Sequence, residues 1–466
     1  MWAASLLCFL ISLLQVEAKN NWRQPFFFQE RDIFGNVDFG RFTPGGYQAG
    51  TRHLISSRRR FPAFDGRIHQ RLDHFNKSLL ATWEQLYYYN FKYTNSNKFK
   101  YAFLVVGGEG PLRPANDVRE IHIVDENNIV VQWAKKYGAA LFALEHRFYG
   151  ESRPKPDTSV ENLKYLNSRQ AIEDIAYFIN EMNKEYGSPD SVWVTFGASY
   201  AGSLALWARQ AYPDIIAGAV GSSAPLEITL DFWGLKDGVG DAFRSQSGRC
   251  ADNIGKAFAE MSDMMKFELG RMKLQELFAL KTKNRKSLSP AVNIVCEYME
   301  NPQQDPLMNY VDARTFLREK YGYTLNDTYD DVIELFKDES YGDPDPGQRQ
   351  WLWQTCTELG MFETTNGGPK GLFGHGVPLS FFIDMCSDVF GPKFDIDFIA
   401  QAVRETNKHY GGADGYKGTN VVITNGEKDP WTRLGKTTSY DDSVICLIVE
   451  GCLRCPTLLL VISSVV

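Results

Sequence analysis

The stretch Val192-Trp193-Val194-Thr195-Phe196-Gly197-Ala198-Ser199-Tyr200-Ala201-Gly202-Ser203-Leu204-Ala205-Leu206-Trp207 decides how this chain is read. A largely apolar run turns through Gly197, Ala198 and Ser199 into a segment rich in Ala and Leu. Short continuous apolar runs are what strands buried on both faces look like, and Ala and Leu favour helix. A strand that feeds a helix through Gly-x-Ser-x-small holds the serine on a sharp, strained turn. Small neighbours are required because the two backbones pass close together there. The hydroxyl then sits at the carboxyl edge of the sheet, beside the positive end of a helix. Ala201 stands where this pattern usually has glycine, and is still small enough to fit. Ser199 is therefore the candidate nucleophile, and the backbone N–H of Tyr200 is one arm of a candidate oxyanion hole.

Similar apolar runs recur on either side of this turn. Tyr101–Val106 ends in Gly107-Gly108, Ala139–Leu144 in Glu145-His146, Ala217–Val220 in Gly221-Ser222-Ser223, and Val421–Thr424 in Asn425-Gly426. Helical patterns lie between them, at Asn128–Tyr137 and Asn167–Met182. In the second, Asn167 and Gln170 are placed as caps, and Ile172, Ile175, Phe178 and Ile179 share a face. Alternating strand and helix predicts an α/β core with a mostly parallel sheet. The glycine-rich Gly107-Gly108-Glu109-Gly110 follows a core strand, so Gly108 supplies the second oxyanion arm in this reading. It lacks the Gly-Lys-Ser/Thr of a phosphate loop and the Rossmann glycine spacing, so no cofactor is expected.

Residues 231–395 break the alternation. Ala257–Met272 reads as helix, and Cys250, Cys296, Cys356 and Cys386 fall here without metal-type spacing. This predicts an inserted helical cap held by two disulfides, with three pairings open and no metal site. The core then comprises residues 19–230 and 396–466, after a signal peptide at 1–18. Leu6–Leu14 supplies that signal's apolar region, and Val16-Glu17-Ala18 its small-residue cleavage site. No run reaches the roughly 18 apolar residues of a spanning helix, so the chain is read as secretory without a membrane span. Asn76-Lys77-Ser78 and Asn326-Asp327-Thr328 are candidate glycan acceptors. Arg58-Arg59-Arg60 reads as a solvated basic turn. With 466 residues and a net charge of −7, the chain is long enough for a large core and too acidic for a typical nucleic-acid binder.

Acyl-transfer chemistry next requires an acid after a later strand, then a histidine. Asp429, in Asn425-Gly426-Glu427-Lys428-Asp429-Pro430-Trp431, meets the first requirement. The second is not met, because His53, His69, His74, His122, His146, His375 and His409 all precede Asp429.

The motifs together resemble the family of prolyl carboxypeptidase, dipeptidyl peptidase II and thymus-specific serine protease, and most closely its nematode-type members. The resemblance rests on Gln70–Asn76, Gly107–Gly110, Glu145-His146-Arg147-Phe148-Tyr149-Gly150-Glu151-Ser152, Gly197–Gly202, Trp353–Gly360 and Asn425–Trp431, in that order. It implies an α/β-hydrolase core, a disulfide-linked helical cap and serine exopeptidase cleavage after proline, in an extracellular or lysosomal setting. It also implies Ser199 as nucleophile, Asp429 as the acid, and Trp431 and Glu109 as substrate-binding residues. The partner it implies is a peptide with proline near the scissile bond, and a homodimer is compatible with it. The family's Gly-x-x-His falls on Gly451-Cys452-Leu453-Arg454, so Arg454 occupies the histidine's position. Two readings follow. In one, this is a misread or spliced form of an active peptidase; in the other, it is a secreted pseudoenzyme that binds peptides without cutting them.

Overall fold

One sheet of eight strands organises the molecule. In chain order the strands are β1 Phe64–Arg71, β2 Thr82–Asn90, β3 Tyr101–Val106, β4 Ala140–Leu144, β5 Val192–Ala198, β6 Ile216–Ser222, β7 Val421–Gly426 and β8 Val444–Val449. Across the sheet they lie β1-β2-β4-β3-β5-β6-β7-β8. Strands β3 to β8 are mutually parallel, while β1 and β2 are added antiparallel at one side. The computed structural model describes residues 64–94, 98–112, 123–126, 128–277, 296–321, 329–342, 347–367 and 371–450. The signal segment 1–18, the basic run 58–60, Asn326 and Arg454 with its flanking tail lie outside these described residues.

The buried strands are the ones the apolar runs announce, and β4 is buried at every position. Strands β5, β6 and β7 run further than the apolar residues do, because ladder hydrogen bonds are made by backbone and Gly221 or Ser222 can make them as well as Val220. Strands β1, β2 and β8 are not among those runs: β2 mixes Glu84 and Gln85 with its tyrosines, and β8 is an apolar run outside the predicted set. β1 carries Asp65, Arg67, His69 and Arg71 and buries only Ile68 and Gln70, and β8 is the opposite edge.

Three helices cover the sheet. α1 (Ile129–Tyr137) is capped by the Asn128 side chain, which accepts from the Val130 N–H, and closed by left-handed Gly138. α2 (Ser168–Glu185) starts from Asn167, whose side chain accepts the Gln170 N–H at 3.0 Å. Gln170 itself is not a cap. Its amide donates to Asp73 at 2.7 Å and accepts from the His74 N–H at 3.0 Å, so tertiary partners take the side chain that a capping box would use. α3 (Ser199–Ala211) follows β5 directly. Between sheet and helices, the rings of Phe142 and Trp193 lie 5.1 Å apart within a continuous aromatic cluster.

Between β6 and β7 the described residues form helices and no further strand of the sheet: α4 Gly234–Gln246, α5 Gly248–Met265, α6 Glu268–Leu277, α7 Pro306–Tyr321, α8 Tyr329–Lys337, α9 Gln348–Gln354, α10 Leu379–Phe390 and α11 Ile396–Tyr410. The segment expected as one helix over Ala257–Met272 is two. Lys266 and Phe267 close α5 through bonds to carbonyls three residues back, and α6 starts afresh. Cys250 is bonded to Cys296, and Cys356 to Cys386. Helix α11 returns the chain to the core, where Tyr410 stacks on Trp207 of α3 with centroids 3.9 Å apart. No helix among the described residues is long and apolar enough to cross a membrane. Asn76 is exposed.

A buried ionic cluster joins the edge to this core. Arg147, fully buried, donates to Asp174 through Nε (2.6 Å) and Nη2 (2.7 Å), and to the Leu72 and Tyr165 carbonyls through Nη1 at 3.1 and 3.0 Å. His74 Nε2 lies 2.7 Å from Asp174 Oδ1. Burial alone pushes the Asp174 carboxyl up, but Arg147 and His74 outweigh it and leave its pKa below the ordinary value. Asp174→Asn is expected to cost about 3–5 kcal/mol in urea unfolding at neutral pH, because it strands a buried guanidinium. That deficit should shrink as pH falls through the carboxylate range, where the native protein loses the same charge.

Candidate active site

The turn between β5 and α3 is built by exclusion of side chains. Ala198 is extended, and Ser199 then takes φ +54°, a left-handed conformation that serine rarely adopts. A Cβ on Gly197 would lie 2.1 Å from the Ala201 carbonyl oxygen, and one on Gly202 would lie 3.0 Å from the Ala224 Cβ. The two glycines let strand, helix and the loop after β6 meet. The Ser203 hydroxyl then donates to the Pro225 carbonyl at 2.7 Å and pins that loop.

The loop after β7 is fixed in a similar way. Thr424 Oγ1 bonds Ser222 Oγ at 2.8 Å, and the Ser223 N–H donates to the Thr424 carbonyl at 2.7 Å. Asp429 is buried, and its Oδ1 accepts the Trp431 N–H at 3.0 Å at the head of a tight turn over Pro430–Arg433. Trp431 is thereby set against Phe232, with centroids 5.1 Å apart. On the other side of the elbow, the Gly107 N–H donates to the Leu144 carbonyl at 2.9 Å, and Gly108 and Glu109 are buried. This loop follows β3, which is central in the sheet.

Ser199, Tyr200, Glu109 and Trp431 line one pocket. Pro225 of the loop after β6 adds to this wall, and the helical insertion completes it with Trp351, Thr355, Met361 and Glu363. Thus the structure brings Ser199, Tyr200, Glu109 and Trp431 together. Asp429 stands two residues from that lining, and Gly108 beside Glu109. Trp351 and Glu363 were missed by sequence reasoning, since nothing local marks them; the only available signal was their closeness to Trp353–Gly360.

The described histidines stand elsewhere. His69 and His375 are exposed, His74 is held by Asp174, and His409 lies on the exposed face of α11. His146 is nearest in sequence to a functional-looking motif, but burial drives its pKa down to about 4. Its Nδ1 lies 2.7 Å from the Arg147 carbonyl, which can only accept, so Nδ1 carries the proton. Nε2 is then the acceptor for the Tyr200 hydroxyl at 3.2 Å. The Tyr200 oxygen in turn accepts from Gln354 Nε2 at 2.8 Å, and Gln354 Oε1 accepts from Tyr149 at 2.6 Å. Every member of this chain is satisfied, and it fixes the residue directly after Ser199.

Glu145 joins the two loops that frame the site. Its carboxylate accepts the N–H groups of Leu112 and Glu151, each at 3.0 Å. Burial pushes its pKa up to about 7 despite these bonds. Gly150 makes room for it, since a Cβ there would meet Glu145 Oε1 at 2.1 Å.

The chain matches the serine carboxypeptidase S28 family over residues 70–293 and 282–459. A Caenorhabditis elegans protein, named as a candidate serine protease, is 35% identical over 429 residues, covering 83% of this chain and 78% of that one. The human thymus-specific serine protease is 30% identical over 436 residues, covering 84% and 80%. The human lysosomal Pro-X carboxypeptidase is 26% identical over 427 residues, covering 82% and 80%.

Two tests follow from this geometry. Gly197→Ala should force β5 and α3 apart and cost about 1–3 kcal/mol in thermal or urea unfolding, whereas Ala198→Gly should cost less. The second concerns pH. Glu145 has a higher pKa folded than unfolded, so its stabilising protonation is complete below the unfolded value and lost as pH rises to about 7. His146 has the opposite sign, but it is common to both proteins compared. The unfolding free energy of wild type minus that of Glu145→Gln should therefore fall between about pH 4.5 and 7; a flat difference would contradict the assignment.

Proposed function

This chain belongs to the serine carboxypeptidase S28 family, and on that premise we propose that it is a serine-type exopeptidase of the secretory pathway acting after proline. By family it is a peptidase with peptide substrates. The observation that carries the finer reading is the strained Ser199 elbow opening into a pocket walled by Trp351 and Trp431. Flat, rigid indoles suit a pyrrolidine ring, which loses little freedom on packing against them. Ser199 is the proposed nucleophile and Asp429 the acid that orients the base. The N–H groups of Tyr200 and Gly108 are the proposed donors to the oxyanion.

The base is what this sequence lacks. Arg454 occupies the position of the family's histidine, and a guanidinium has no lone pair to accept the serine proton and stays charged at any ordinary pH. The 466-residue chain as it stands should therefore bind its peptides without turning them over. The alternative reading, a dedicated pseudoenzyme, differs only in whether the transcript across codons 435–466 reads the same way in the natural gene product.

Hydrolysis of Ala-Pro-aminomethylcoumarin and of acetyl-Pro-Phe is the test. For the chain as written, the expected rate lies several orders of magnitude below that of an intact triad, at the level of its Ser199→Ala variant. Arg454→His should bring Ser199-dependent cleavage back. Robust turnover by the unaltered chain would refute the proposal.

A further inference from the structure

The turn between β1 and β2 is anchored beneath and exposed above. The Leu72 N–H donates to the Ala81 carbonyl at 2.9 Å and closes its base. Asp73 Oδ1 accepts the N–H groups of Phe75 and Asn76 at 2.9 and 3.3 Å and the Gln170 amide at 2.7 Å. The His74 N–H donates to Gln170, and its ring reaches Asp174 in the buried ionic cluster. The backbone leading to Asn76 is thus fixed to α2, while Phe75, Asn76, Lys77, Ser78 and Leu80 are all exposed.

Asn76-Lys77-Ser78 is one of two Asn-x-Ser/Thr triplets in the chain, and the one that lies among the described residues. The Asn76 side-chain oxygen accepts the Ser78 N–H at 3.1 Å, and the Leu79 N–H donates to the Asn76 carbonyl at 3.1 Å. Neither bond uses Nδ2, the atom that takes an oligosaccharide. A bulky sugar needs an exposed acceptor, and the fold supplies one on a fixed turn. Two large apolar side chains flank it. Phe75, 59% exposed, directly precedes Asn76, and Leu80, 81% exposed, follows the turn. The C–H face of a hexosamine packs on such side chains and takes apolar area out of water, with a gain that grows with the area covered.

We propose that Asn76 carries an N-linked glycan whose first sugars lie over Phe75 and Leu80, and that this cover keeps the turn from associating with second copies of the chain. In the transfer, Asn76 Nδ2 bonds to C1 of a hexosamine carried on a polyprenyl pyrophosphate. The C1–O bond to that donor breaks, its electron pair leaves with the pyrophosphate, and the amide gives up one proton. The inference rests on the secretory reading above and is independent of the peptidase chemistry.

The full chain expressed in a eukaryotic secretory host supplies the test. Trypsin cuts after Arg71 and Lys77, so the peptide Leu72–Lys77 isolates the acceptor, and its mass before and after treatment with peptide N-glycosidase reports occupancy. Most copies are expected to carry a glycan that the enzyme removes. An unmodified peptide would overturn the proposal. If Asn326 is then occupied, or the Cys250–Cys296 and Cys356–Cys386 bonds are formed, the secretory reading survives that failure. If neither triplet is used and all four cysteines react with an alkylating reagent, the secretory reading falls as well. Ser78→Ala removes the acceptor signal but keeps the backbone N–H that Asn76 binds, and circular dichroism reports whether the variant is folded. It should self-associate at a several-fold lower concentration in light scattering, and adding Phe75→Ser should reverse that change. Self-association that is unaltered by loss of the glycan, or that Phe75→Ser does not reverse, would overturn the proposed cover.

Discussion

The approach of strand β5 to helix α3 is the constraint on which the site depends. Gly197 has no room for a side chain against Ala201, and Gly202 little against Ala224. Only with both positions nearly bare can the chain reverse sharply enough to hold Ser199 at a positive φ. The same closeness brings the loop after β6 onto α3, where Ser203 locks it through Pro225, and β7 is then registered against β6. The position of Asp429 is therefore set from two sides, by the sheet and by the turn that Pro430 begins. Strain at one serine is sustained because the surrounding packing has no alternative arrangement.

Behind that turn lies a layer of buried polar groups that are fully engaged. Glu145, His146 and Arg147 are consecutive, and each does something different. Glu145 ties the segment containing Leu112 to the loop containing Glu151, His146 steadies Tyr200, and Arg147 ties Asp174 to the antiparallel edge. A Glu-His pair beside a candidate nucleophile looks like acid–base machinery. The structure gives both a framework role, with His146 kept neutral by burial and its two nitrogens already used. The motifs Gln70–Asn76 and Trp353–Gly360 are similar in kind. His74 braces Asp174, Gln354 holds Tyr200, Cys356 is bonded to Cys386, and Glu358 accepts from Ser168.

The insertion is part of the pocket as well as a cover for it. Trp351 packs on Tyr200 with centroids 5.5 Å apart, so the residue after the nucleophile contacts both the core and the helical insertion. Through Gln354 and Tyr149 the insertion also shares hydrogen bonds with the core. Its placement bears on the shape of the elbow's surroundings as well as on access to them. Substrate preference and backbone geometry are in this way coupled through a few buried polar contacts.

Much of this was legible in the sequence wherever a requirement is local. A strained turn demands small residues at fixed spacing, and buried parallel strands demand unbroken apolar runs. Hence the Ser199 elbow, the α/β class and the helical insertion could be read directly. Strand β1 could not, because an edge strand needs little apolar character once a neighbour supplies its hydrogen bonds; β2, paired on both sides, mixes Glu84 and Gln85 with its aromatics, and the apolar β8 lay outside the predicted set. Gln170 was misjudged for a related reason: a side chain that could serve a local cap was claimed by Asp73 and His74 across the fold. Which cysteines pair, and that Trp351 and Glu363 line the same pocket as Ser199, depend on contacts between segments far apart in the chain. No local pattern encodes such contacts, so only the folded sheet and the insertion packed on its edge could decide them.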